Sequence, residues 1–184
     1  GSQTICSGST APLSIQFTGT QPWNISYSDG TTTSTLSNIS TSNYTLNVTP
    51  STTKTYTISQ VSDANCSTTA VGDRTGSAIV TVNPMVNASV SVTSSDADNS
   101  VCYGSSITFT ATPSNGGTPV YSWQKNGVDI GVGGSSYSVN SNTLVDDDVF
   151  SVQMTSNATC VSHPVVFSNA ITLHIAPGTP RTPT

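Results

Sequence analysis

No glutamate occurs anywhere in the 184 residues, and only four cations do: Lys54, Arg74, Lys125 and Arg181. Glu and Lys are leading helix formers, so their scarcity argues against a helical protein. Four scattered cations cannot make the basic patch that follows a phosphate backbone, which excludes nucleic acid as a partner. Without Glu, a catalytic carboxylate pair would have to be two Asp, and no Gly-x-Ser-x-Gly nucleophile motif is present. His163 and His174 have no sequence companion and there is no Cys-x-x-Cys, so no zinc site is written here. No apolar run approaches the ~20 residues of a membrane-crossing helix. What remains is a chain with no catalytic residues, no cofactor except a candidate calcium, and no membrane insertion.

Ser and Thr make up about a third of the chain, and nine Asp set a net charge of −5. Thr, Val, Ile and Tyr fit pleated strands, whereas Asp, Asn, Ser and Gly fit turns. The composition predicts an all-β protein.

The sequence also repeats itself. Ile5-Cys6-Ser7-Gly8 returns as Val101-Cys102-Tyr103-Gly104, Trp23 as Trp123, and Asn65-Cys66-Ser67 as Thr159-Cys160-Val161. Each copy closes on an alternating strand, 77–82 and 169–175, followed by Pro84 or Pro177. Two domains are expected, 1–84 and 85–177, with 178–184 a cut linker; Gly1-Ser2 reads as a cloning remnant of an excised fragment. Each copy holds one early and one late cysteine, 60 and 58 positions apart. One disulfide per domain, Cys6 with Cys66 and Cys102 with Cys160, is expected in an oxidising compartment. Closing such a loop would stabilise each domain by about 4 kcal/mol.

Alternation places the strands. In the first copy they are expected at 13–17, 23–27, 44–48, 55–61 and 77–82, with an edge strand or loop at 31–35. The second copy adds an opening strand at 88–92, then 107–111, 120–125, 137–139, 149–154 and 170–175. Asp29-Gly30 and Asn126-Gly127 mark hairpin turns. Turn signals every 8–12 residues are the mark of two-sheet sandwiches.

Tyr121-Ser122-Trp123-Gln124-Lys125-Asn126-Gly127, with Asp146-Asp147-Asp148-Val149-Phe150 before a late strand, resembles immunoglobulin-like (Ig-like) and PKD-like domains. The resemblance covers both copies and implies two tandem β-sandwiches. Cys102 precedes the first core strand, and Cys160 follows a late one. The staple would then tie the opening segment to the late hairpin. Phe17-Thr18-Gly19-Thr20-Gln21-Pro22-Trp23-Asn24-Ile25-Ser26-Tyr27, Thr53-Lys54-Thr55-Tyr56-Thr57-Ile58 and Ser62-Asp63-Ala64-Asn65-Cys66 are similar to repeats of giant Bacteroidota surface proteins. SprB-type gliding adhesins, exported by type IX secretion, are the family's best-known members. That resemblance implies an extracellular filament at the cell surface in which most repeats are spacer and some touch glycans or substrata.

Trp23, Trp123, Phe17 and Phe109 fall on alternating strands, and central core aromatics are the reading favoured over a sugar-stacking platform. Asp146, Asp147 and Asp148, with Asp96 and Asp98, are the candidate calcium ligands, since neighbouring loop carboxylates can supply hard oxygens. Neither run matches an EF-hand loop. The expected partners are neighbouring repeats of the same chain and a polysaccharide or abiotic surface, with the chain itself a monomer. The expected function is filament extension and weak multivalent attachment, as in gliding motility. The alternative is an accessory carbohydrate-binding or spacer module of a secreted enzyme.

Overall fold

The computed structural model describes residues 1–68 and 70–176; the expected linker 178–184 lies outside them. The chain divides into two compact units, Gly1–Met85 and Val86–Thr184.

The first unit contains β1 (Gln3–Cys6), β2 (Ala11–Gln16), β3 (Trp23–Ser28), β4 (Thr33–Ile39), β5 (Asn43–Val48), β6 (Lys54–Ser62), β7 (Ser67–Thr68) and β8 (Ala78–Asn83). One sheet has the order β1-β8-β6-β3-β4, with β7 hairpinned onto β6, and β2 pairs with β5 in the other. β1 and β8 run parallel, and the other described strand pairs of this unit run antiparallel. The chain therefore changes sheet four times, between β1 and β2, β2 and β3, β4 and β5, and β5 and β6, as the crossing path of a sandwich requires. The Asp29-Gly30 signal is a true turn: Asp29 Oδ1 accepts the amides of Thr31 and Thr32 at 2.8 and 2.6 Å. These hydrogen bonds, the Thr32 and Thr31 amides foremost, hold its carboxyl far below the usual carboxylate range.

The second unit contains β9 (Ser89–Ser94), β10 (Ser100–Cys102), β11 (Ser106–Ser114), β12 (Val120–Lys125), β13 (Val128–Gly133), β14 (Ser136–Asn140), β15 (Val149–Thr155), β16 (Val165–Phe167), β17 (Ile171–Thr172) and β18 (His174–Ala176). Its sheets are β14-β11-β9 and β13-β12-β15-β16, with β17 also on β15 and β10 parallel to β18. Asn126 and Gly127 both take positive φ, 53° and 77°, as a tight β-hairpin turn requires.

Both tryptophans are interior. Trp123 is 1% exposed and Trp23 5%. Phe109 stacks on Phe150 at 4.5 Å and Trp123 on Tyr137 at 5.7 Å, while Phe17 stacks on Trp23 at 5.3 Å. Each indole N–H finds a carbonyl, Thr18 O at 3.0 Å for Trp23 and Gly134 O at 3.1 Å for Trp123. A buried indole left without such an acceptor would be costly. The second unit has one continuous core that runs from Ala88 to Leu173. The first has two smaller clusters, one around Leu13, Leu46 and Val80, the other around Phe17, Trp23 and Ile25.

The expected staples do not form. Cys66 and Cys102 are exposed free thiols, so neither intradomain pair is made. Strand direction gives the reason. Cys6 ends β1 beside Asn83 of β8, whereas Cys66 lies past the far end of the antiparallel β6. The nine residues of β6 separate them by about 30 Å, against the 4.4–6.8 Å between Cα atoms that a disulfide spans. In the second unit Cys102 sits beside Ala176, while Cys160 follows the far end of β15 and accepts the Val86 amide. Each domain thus carries its two cysteines at opposite poles, and loop closure within a domain does not contribute to its stability.

Candidate functional site

Strands β13, β12, β15 and β16 present one face to solvent, and the pairing register states which side chains share it. Val120 lies opposite Thr155, which lies opposite Val165. In the next row Val132 lies opposite Ser122, then Gln153, then Phe167. A third row joins Asp129, Gln124 and Ser151. Directly paired residues point to the same side of a sheet, and the side chains between them, Tyr121, Trp123, Val152 and Met154, point into the core.

The face is apolar and amide-rich. Val132 is 73% exposed, Phe167 61% and Val120 54%. Among these residues Asp129 carries the one charge. Its carboxylate accepts the Ser122 hydroxyl at 2.6 Å and the Gly131 amide at 2.7 Å, and those two bonds lower its pKa. Gly131 sits at the β13 bulge with φ of 126°, a conformation that favours glycine. The bulge and the Asp129 charge protect this edge strand from pairing with another chain. Such a surface can stack an exposed ring and offer amide and hydroxyl hydrogen bonds.

The expected acidic cluster divides. Asp148 turns inward and is 1% exposed. Lys125 Nζ lies 2.8 Å from its carboxylate, Asn126 Nδ2 donates at 2.7 Å, and the Val145 amide donates at 2.9 Å. Burial pushes its pKa up, but Lys125, Val145 and Asn126 together outweigh burial and leave it lowered. These bonds fasten the Asn126-Gly127 turn to the start of β15, so this carboxylate is not offered to an ion. Asp146 and Asp147 stay exposed beside His174, whose Nδ1 is 3.7 and 3.5 Å from their oxygens. Asp146 already accepts the Ile175 amide at 2.9 Å. One imidazole and two carboxylates are not the all-oxygen set that calcium takes. Asp96 and Asp98 lie in a separate loop, where they cap the amides of Asp98 and Ser100.

Sequence alternation alone marks Val120, Ser122 and Gln153 as the parity opposite the buried aromatics. Phe167 was missed because β16 is three residues long, too short for a period to show. His174 has no companion within the sequence; the bonds from the Asp147 amide to the Leu173 carbonyl and from the Ile175 amide to the Asp146 carboxylate are what bring it to the acidic loop.

Residues 2–74 match the family described as Nucleoporin POM152, Ig-like domain. The architecture is two Ig-like β-sandwiches in tandem. No curated protein matches the chain in sequence. Among solved structures, titin domains I67–I69 are 14% identical with a TM-score of 0.47, covering 96% of this chain and 63% of that one. The N-terminal four Ig domains of Dscam1 isoform 4.44 are 14% identical with a TM-score of 0.41 over 96% of this chain. The fibronectin(III)-like modules of Clostridium thermocellum CbhA are 16% identical with a TM-score of 0.35, covering 100% of this chain and 93% of that one. The chain spans 43% of the Dscam1 structure, less than half its length. Likenesses at this level carry no functional information. Among the described residues no helix is long and apolar enough to cross a membrane.

Proposed function

We propose that the chain is a non-catalytic repeat segment of a long, secreted cell-surface adhesin of the kind used in bacterial gliding. Its Ig-like domains give reach, and its sheet faces attach weakly to polysaccharide or other surfaces. The observation that supports this is the outer face of β13-β12-β15-β16, where Phe167 and three valines are interleaved with Ser122, Gln153 and Thr155. A face with almost no charge binds without steering and with little salt dependence, and one ring gives low affinity. Many such faces on one filament raise avidity without any new contact. The phrases around Trp23, Lys54 and Cys66, similar to repeats of gliding adhesins exported to the cell surface by type IX secretion, support this reading.

The test compares a single chain with the same chain displayed at high density on beads, both over immobilised neutral polysaccharides. Retention of beads but not of free chain, insensitive to salt, is the expected result. Retention that vanishes in moderate salt, or turnover of any polysaccharide, would overturn the proposal.

A further inference from the structure

Strands β4, β3 and β6 of the first domain form an outer face of different chemistry. Ser26 lies directly opposite Thr35 on one side and Gln60 on the other. In the row toward the Asp29-Gly30 turn, Ser28 lies opposite Thr33 and Thr57. In the row beyond, Asn24 lies opposite Ser62, and on β4 two residues, Ser37 and Asn38, stand where the ladder has room for one. The side chains between these rows, Ile25, Tyr27, Leu36, Ile58 and Val61, pack into the cluster around Trp23. Every side chain in the rows is a hydroxyl or a carboxamide. The two acids at the margins are taken, Asp29 by Lys54 at 3.4 Å and Asp63 by the amides of Thr20, Asn65 and Cys66.

Two irregularities bracket the segment from Asn24 to Ser26, the bulge on β4 opposite Asn24 and a register shift against β6 just after Ser26. Bulges bend a strand and re-aim its side chains. Between these two the face dips into a pocket of about 130 Å³, whose lining includes Ser26, Thr35, Ser37 and Gln60. The pocket is braced from within the chain. Asn24 Oδ1 accepts the Asn38 amide at 3.0 Å and so fixes Asn38 in its left-handed conformation, φ 58°. Asn24 Nδ2 donates to Ser62 Oγ at 3.3 Å, and the Ser59 hydroxyl donates to the Ser26 carbonyl at 3.1 Å. The side chains of Ser26, Thr35, Ser37 and Gln60, by contrast, have no hydrogen-bond partner among the described residues. The bracing groups are satisfied and the lining groups are open.

The lining states the class of guest. A charged group would shed its water against neutral dipoles with no counter-charge to replace it. An apolar group would leave the hydroxyls and the Gln60 amide unpaired. A neutral polyol meets neither penalty, because its hydroxyls donate and accept as the lining does. Building on the attachment function above, we propose that this pocket is a hydrogen-bonding subsite for one uncharged sugar ring of a polysaccharide. Thr35, Ser26 and Gln60, in one row across three strands, bond the ring hydroxyls, and the rows on either side extend the contact to neighbouring sugars. The subsite differs in kind from the face around Phe167, which offers an aromatic ring and valines.

The test titrates the intact chain with neutral hexasaccharides of glucose, mannose and galactose, and with a hexagalacturonate, and reads amide NMR shifts residue by residue. Saturable shifts at Ser26, Thr35, Ser37 and Gln60 from at least one neutral sugar are expected, with little from the acidic one. Thr35→Val removes a hydroxyl but keeps a branched strand former, and Gln60→Ala removes the amide. Each is expected to weaken binding at least about threefold at unchanged melting temperature, whereas Phe167→Ala leaves binding here intact. Shifts confined to the surroundings of Phe167 overturn the inference and leave the attachment function standing. Shifts here that survive both substitutions, or equal shifts from the hexagalacturonate, overturn it too. So does the absence of any shift at these four residues with every neutral sugar at tens of millimolar. Retention of beads carrying the same chain then decides the attachment function separately.

Discussion

Lys125 Nζ lies 2.8 Å from the Asp148 carboxylate, a pair joining the end of β12 to the start of β15 with the acid almost wholly buried. Asn126 binds the same carboxylate and exchanges backbone and side-chain bonds with Val149. The pair is therefore a fixture of the fold, and its loss should be felt as stability.

Asp148→Asn is expected to destabilise the chain by about 3 kcal/mol at neutral pH, because it strands a partly buried ammonium. The folded carboxyl is lowered, so its contribution is complete above the unfolded value near 4 and fades as pH falls through the folded one. Denaturant unfolding of both proteins between pH 3 and pH 7 checks this. The gap between them should narrow only toward pH 3.

Thiol counting tests the cysteine arrangement. Under denaturing, non-reducing conditions two thiols per chain should react, and peptide mapping should place them at Cys66 and Cys102. An absence of reactive thiols would mean that both expected intradomain pairs form after all, or that the free cysteines have joined.

Core and surface aromatics should separate cleanly. Trp123→Ala removes a side chain that is 1% exposed and stacked on Tyr137, and should cost about 4 kcal/mol. Phe167→Ala, at 61% exposed, should change stability by no more than about 0.5 kcal/mol. Thermal melts of the two variants suffice.

Most of the fold was legible because its signals are local. The alternation around Phe109 and Trp123, the Asn126-Gly127 turn and the repeat of Trp23 as Trp123 each state a strand, a hairpin or a domain without outside help. The cysteines were misread because their pairing depends on direction. The opening strand runs parallel to the closing one, which carries Cys6 and Cys102 to one pole, and β6 and β15 carry Cys66 and Cys160 to the other. Asp148 was misplaced for a related reason. Three consecutive aspartates look alike in a sequence, and only the reach of Lys125 and Asn126 from the neighbouring hairpin distinguishes the third. The outer face of the sheet could be read by parity from β12 and β15 but not from β16.

The most direct measurement is bead retention on neutral polysaccharide for wild type against Phe167→Ala and Val132→Ser, with melting curves run alongside. A marked loss of retention in both variants at unchanged melting temperature is the result expected of an adhesive sheet face. Full retention in both would contradict it and leave the attachment reading without a surface.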